Sequence, residues 1–321
     1  MKTVNDPSKP NNRICINYCN AIVNTYAGYM TGIDITYNSN EDITQIQDIL
    51  NYNDVATEDA EFLKDLLVYG VAMEVNWIDP DGKQRFKVLD PRECIPVYEN
   101  TLEEELAAVI RFYAVSQNTM LDDKNYYVEV YDARETAIYK TDATFTTYEL
   151  LDLIPNFYGM VPVSVAYMDK DHKNIFDQII SAQDAYNQLI SSETDDFQSF
   201  VDAYLKLTGI DDIDEETLKN MRTNRVLVLP EGGNAEFLNK NISDTQIENM
   251  LDNLRASIRE ISCAPDFTDE AFGASSGISL KFKLLNFENK AGQIEKSMKK
   301  ALQRRIELIC SILSLTSGEE L

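Results

Sequence analysis

The spacing of apolar positions divides this chain into helical and extended stretches before any residue is given a role. Ile14, Tyr18, Ala21, Ile22, Thr25 and Tyr29 recur at helical intervals and predict a helix over Asn11–Met30, stopped by Gly32. A short strand, Ile33–Tyr37, is expected next. Two amphipathic helices follow, Ile43–Asn51 and Thr57–Tyr69; Thr57 opens the second, Glu58 and Asp59 occupy its first turn, and Gly70 ends it. Over about the next hundred residues the apolar period falls to two. Val71–Ile78, Gln84–Leu89, Cys94–Tyr98, Ala107–Val115, Tyr126–Tyr131, Thr136–Lys140 and Val163–Tyr167 are rich in Val, Ile and Tyr and are separated by turn signals such as Asp79-Pro80-Asp81-Gly82. They predict a mostly antiparallel sheet, which with the preceding helices makes an α+β unit.

Helical spacing returns at Asn174. Ile175, Ile179, Ala182, Tyr186, Leu189, Phe197, Val201 and Tyr204 share one side of a helix expected to reach Gly209, and Asp177, Asp184, Asp195 and Asp202 form a second stripe. Such a stripe is either a solvated face or one wall of an acidic passage. Residues Ile210–Ser243 read as a small insert: a helical turn at Glu215–Met221, a strand Arg225–Leu229, a turn at Pro230–Gly233 and a second strand around Ala235–Leu238. Two short strands are marginal in water, so the insert needs a partner surface. Thr245 and Glu248 have capping-box spacing and open a helix with Ile247, Met250, Leu251, Leu254 and Ile258 on one face. Pro265, Gly273, Ser275 and Ser276 then break the chain. From Leu284 the apolar positions Phe287, Ala291, Ile294, Met298, Ala301, Leu308 and Ile312 alternate by three and four, interrupted by Arg305. This predicts one helix over Gly277–Leu313, roughly 55 Å long, packed lengthwise on a neighbour and weakest at Gly292.

Charge changes the picture in one place. The 321 residues carry 29 basic and 54 acidic side chains, a formal net charge of -25, which argues against a surface built to grip nucleic acid. Yet Lys281, Lys283, Lys290, Lys296, Lys299, Lys300, Arg304 and Arg305 make the long helix basic, so something acidic should lie beside it. The five cysteines are scattered, as expected of reduced thiols; Cys15 and Cys19 share a helix face, but no Cys or His pair joins them at zinc-site spacing. The N-terminus has no signal-peptide core and no run of about eighteen apolar residues occurs, so synthesis in the cytoplasm and no membrane contact are expected. No cofactor motif, phosphate loop or nucleophile motif is present. The carboxylate pairs Asp79/Asp81, Asp195/Asp196 and Asp211/Asp212 leave open a metal-dependent nuclease or phosphoesterase, although convergent sites commonly include His and His172 is the chain's one histidine.

Several segments, in this order, are similar to one family. They are the helix ending Tyr29-Met30-Thr31-Gly32, the Tyr69–Glu74 segment, the strand and turn of Val88–Tyr98, Asn156–Val163, Asp184–Asn187, Asp195-Asp196 with Ala203–Leu205, and Ser276–Lys283. From Asn11 to Leu313 the chain resembles the portal protein, or head-to-tail connector, of tailed bacteriophages, in particular that of siphophages of Gram-positive hosts. The resemblance implies a portal fold: an α/β wing over residues 1–173, stem helices over 174–209 and 244–264, a small α/β clip at 210–243, a tunnel loop at 265–276 and a long wing helix at 277–313. Residues 314–321 stand where the family carries a crown, truncated or absent here. It also implies a non-enzymatic ring, dodecameric in the virion, at one capsid vertex. The expected partners are the terminase large subunit, the major capsid and scaffolding proteins, a head-completion adaptor and double-stranded DNA passing without sequence preference. Carried over by position, Asp266, Phe267, Asp269, Glu270 and Phe272 belong to the tunnel loop, Asp177, Asp184, Asp195 and Asp202 line the channel, and Glu215, Arg222, Arg225 and Glu231 face terminase.

Overall fold

The computed structural model describes residues 10–118, 123–201, 205–208, 232–237, 244–266 and 277–317. The chain forms two compact units, Met1–Tyr18 with Ile180–Ile258, and Cys19–Ile179 with Arg259–Leu321. The larger unit opens with α1 (Tyr18–Thr31), α2 (Thr44–Tyr52) and α3 (Val55–Tyr69). On α3 the adjacent pairs Phe62, Leu63 and Leu66, Leu67 fall on one face and are buried almost completely. The helix ends at Gly70, with φ +74°, where an added Cβ would meet the His172 carbonyl oxygen at 2.4 Å; only glycine closes it there. The expected strand Ile33–Tyr37 does not form. Tyr37 instead gives its side chain to the core around Arg305.

Eight strands follow in this unit: β1 (Val71–Ile78), β2 (Gln84–Leu89), β3 (Cys94–Tyr98), β4 (Leu106–Asn118), β5 (Asp123–Asp132), β6 (Glu135–Thr141), β7 (Tyr148–Pro155) and β8 (Val163–Tyr167). They form two antiparallel sheets, of order β2-β1-β8 and β3-β4-β5-β6-β7. Opposed residues of antiparallel strands project from the same face. The register therefore puts Cys94, Arg111 and Glu129 on one face of the five-stranded sheet and Ile95, Ile110 and Val130 on the other. The first face contributes Cys94, Val109 and Tyr131 to a core with Met73, Val75, Leu89, Val161 and Val163. Strand β7, which the apolar pattern alone does not announce, is one edge of the sheet.

In the smaller unit, residues 10–17 are not the start of a helix, contrary to the expectation from Asn11; they run as a strap along α4 (Ile180–Val201). The unit also holds β9 (Leu205–Thr208), β10 (Asn234–Phe237) and most of α5 (Asp244–Ser262). Leu205–Thr208 is a strand, not the end of a helix reaching Gly209. Its Leu-Lys-Leu-Thr alternation suits a strand, and Asn234–Phe237 supplies the antiparallel ladder that helix hydrogen bonds would otherwise provide. The expected turn Glu215–Met221 and strand Arg225–Leu229 lie outside the described residues.

The last helix, α6 (Gly277–Ser317), belongs to the larger unit and runs four residues past the expected end, unbroken through Gly292. Its predicted seam is buried: Phe287, Ala291, Ile294, Met298, Ala301, Leu308 and Ile312 all turn inward, while Lys281, Lys296, Lys299 and Lys300 are exposed. Tyr26 packs on Phe287 at 4.6 Å between ring centroids, and Leu50, Phe86 and Ile309 form a second cluster. Arg305, the interruption in the seam, is 1% exposed. Its Nε and Nη2 donate to the Glu74 carboxylate of β1, the latter at 2.5 Å, and its Nη1 donates to Asp59 of α3 at 2.6 Å and to the Tyr37 hydroxyl at 3.3 Å. The guanidinium lies 4.6 Å from the centre of the Phe86 ring. Burial pushes the Glu74 and Asp59 carboxyls up, against the pull of Arg305. Next to Asp59, Glu58 accepts from Lys87 Nζ and the Val88 amide, so these acids are structural groups rather than solvated first-turn charges.

Candidate functional site

The acidic stripe expected on the 174–209 helix divides into three environments. Asp177 lies in a short 3-10 turn, Asp177–Ile179, in the larger unit and is exposed. On α4, Asp184 is exposed, whereas Asp195 is buried. Asp202 lies outside the described residues.

The strap explains the difference between Asp184 and Asp195. The Asn12 amide donates to Asp195 at 2.7 Å, that of Ile14 to Ser191 at 3.0 Å, that of Ile16 to Asn187 at 3.0 Å and that of Tyr18 to Gln183 at 2.9 Å. Gln183 returns a bond from its Nε2 to the Ile16 carbonyl, and the Asn12 side chain donates to both Asp195 and Gln198. Every second strap residue thus meets every fourth helix residue. Two extended residues advance about 6.6 Å and four helical residues about 6 Å, so the two elements stay in step over four contacts. A line of residues four apart is inclined to the helix axis. The strap therefore crosses the stripe at Asp195 and leaves Asp184 to solvent. At its end Tyr18 packs edge-on against Tyr186, 5.2 Å between centroids, and accepts from Arg255 Nε, which ties α5 to the same assembly.

Of the expected tunnel-loop residues, Asp266 is described, and its carboxylate pairs with the Arg259 guanidinium near the end of α5. Phe267, Asp269, Glu270 and Phe272 lie outside the described residues, as do Glu215, Arg222, Arg225 and Glu231. Among the carboxylates that suggested a metal site, Asp79 and Asp195 have local duties. Asp79 accepts the amides of Asp81 and Lys83 and closes the β1–β2 turn. Asp195 is held by Asn12, and Asp211/Asp212 lie outside the described residues. Among the described residues, no three His, Cys, Asp or Glu side chains gather as a metal ion requires.

The model of the family described as phage portal protein, SPP1 Gp6-like, matches residues 2–319. The chain belongs to this portal family. It is 24% identical over 333 aligned residues to a protein named "Portal protein" from Clostridium phage phiCD119, covering 97% of this chain and 73% of the relative. It also matches a chain of a solved structure described as the neck of an empty GTA particle with C6 symmetry, at 13% identity and a TM-score of 0.46. That match covers 77% of this chain and 64% of the solved one.

For a portal subunit, two features are hard to see in the sequence. The strap's signal is present as Gln183, Asn187, Ser191 and Asp195, a polar line four residues apart on α4. Its opposite number, Asn12 to Tyr18, reads as helix because its alternate apolar residues also fit helical spacing over so short a run. Arg305 is visible as a break in the seam, but nothing local names Glu74 and Asp59, which are more than two hundred residues away.

Proposed function

We propose that this chain is the portal subunit of a tailed phage, copies of which form a ring at one capsid vertex through which double-stranded DNA enters during packaging and leaves during ejection. The family match over residues 2–319 carries the reading. In the virion the ring is a dodecamer. It docks the terminase large subunit during packaging, contacts the major capsid and scaffolding proteins, and afterwards receives a head-completion adaptor. Residues 1–173 and 277–313 serve as wing, 174–209 and 244–264 as stem, 210–243 as clip and 265–276 as tunnel loop. The grouping of 180–258 as one compact unit supports a stem and clip that fold together, and it joins the N-terminal strap to the stem rather than to the wing.

The physical role is passive. A conduit must not bind the polymer it passes, because each phosphate held by a cation adds salt-sensitive affinity and slows movement. A chain of net charge -25 suits that need. At physiological salt the repulsion extends only about 8 Å, so it keeps DNA from the wall without opposing entry from afar. Exposed Asp184 on α4 is the described stripe residue best suited to the lumen; Asp195 reaches it only if the strap moves. The test is a packaging reaction with purified proheads and terminase. Heads assembled with this chain should protect DNA from nuclease and heads assembled without it should not; equal protection in both would overturn the reading.

A further inference from the structure

The outward face of the five-stranded sheet is apolar. The register aligns Ile95, Ile110, Phe112, Tyr139, Leu150 and Leu153 on it, from β3, β4, β6 and β7. Ile95 is 51% exposed and Leu150 49%, and every residue of the edge strand β7 is exposed. A sheet with one wet face alternates apolar with polar side chains. Here the opposite face gives Cys94, Val109 and Tyr131 to the core, and Phe145 packs on Phe112 at the middle of the outward face, so its flanks around Ile95 and around Leu150 and Leu153 are what calls for a cover. The same unit has another uncovered apolar surface. At the start of α6, Ile278, Phe282 and Leu285 line one side at helical spacing, the first two about three-quarters exposed, while Phe287, Ala291 and Ile294 are buried on the other.

We infer that these two surfaces meet between copies, the first turns of α6 of one subunit lying on the outward sheet face of the next. The inference rests on the proposed ring. A cyclic ring needs two different, mutually complementary patches on every subunit, whereas a two-fold dimer needs a single self-complementary one. The patches match in size: Ile278 to Leu285 spans roughly 10 Å of helix, and β4 to β7 roughly 14 Å of sheet. They also match in charge. Asp132 and Glu135 stand at the β5–β6 end of the sheet face, and exposed Lys281 stands beside Phe282 on the helix.

The test is ring formation by mass photometry over a dilution series, with far-UV circular dichroism to establish that each variant is folded. Leu150→Glu with Leu153→Glu, and separately Phe282→Glu, should raise the concentration for half-assembly about tenfold or more, the scale of an interface anchor. Val115→Glu, at a 44% exposed position on the opposite sheet face, should not. In rings mixed from Leu150→Cys and Phe282→Cys copies whose accessible cysteines Cys15, Cys19, Cys263 and Cys310 are changed to Ser, a short bismaleimide should give a covalent dimer that neither variant alone yields. Rings indifferent to both sets of Glu substitutions, or rings lost with no cross-link in the mixed assembly, would overturn the inference and leave the portal reading standing. A wild-type protein that forms no ring at any concentration would overturn both.

Discussion

Replacing Arg305 by Ala should be among the most damaging single changes in this protein. The variant leaves two carboxylates, Glu74 and Asp59, buried at 1% and 2% exposure with no cation between them. Removing one partner of a buried ion pair typically costs about 3–5 kcal/mol, because the remaining charge is neither solvated nor paired. In a unit of this size each kcal/mol moves Tm by about 2–4 °C, so the variant should melt roughly 6–20 °C lower. Arg305→Lys should fall between, since an ammonium keeps the charge but cannot span Glu74, Asp59 and the Tyr37 hydroxyl with a planar fork. The decisive comparison is a double-mutant cycle of Arg305→Met and Glu74→Gln, followed by urea and thermal denaturation with circular dichroism. The double variant should be less destabilised than the sum of the singles by about 2–3 kcal/mol. A cost below about 1 kcal/mol for Arg305→Ala, or additive singles, would refute the claim that this cluster pins α6 to β1 and α3.

In hydrogen exchange, the Ile14 and Ile16 amides should be protected and should lose protection together in Ser191→Ala with Asn187→Ala, at about 1 kcal/mol for each bond removed; unchanged rates would deny the strap. Burial, then the nearby Asp90 and Glu61, raises the Asp65 carboxyl to about 6, so its contribution to stability is present below about pH 4 and lost as pH rises through 6. Asp65→Asn should accordingly stabilise by on the order of 1 kcal/mol near pH 8, after discounting for solvent screening, and do nothing near pH 4; no gain at the higher pH counts against it. Asp269→Lys with Glu270→Lys should leave rings intact but reduce packaged DNA, because each subunit would then offer cations to phosphate. Asp266 is left unchanged in that variant because it pairs with Arg259. Packaging to wild-type extent would remove this loop from the DNA path.

What can be read from sequence depends on whether the signal is local. β1, β2, β3 and β8 follow from period-two runs between turn residues, and the seam of α6 follows from its three-four spacing, because both patterns repeat within one element. β7 is silent for the opposite reason. Tyr-Glu-Leu-Leu-Asp-Leu-Ile-Pro carries apolar residues on both sides and so has no alternation to detect, which is the property that leaves an apolar edge exposed. The strap reads as helix because its alternating Ile14, Ile16 and Tyr18 also fit helical spacing over so short a run, and its partner is a helix face rather than a neighbouring strand. Asp195 illustrates the limit for the candidate site. Its place in a stripe is legible, but its burial depends on Asn12, 183 residues away in sequence.

Assembly into a portal ring is most directly tested by negative-stain imaging of the purified protein together with its mass distribution. Annular particles with an axial hole are expected, at a mass that is a multiple of the 36.5 kDa subunit. Solid, compact particles of one or two subunits under every assembly condition would contradict a portal ring.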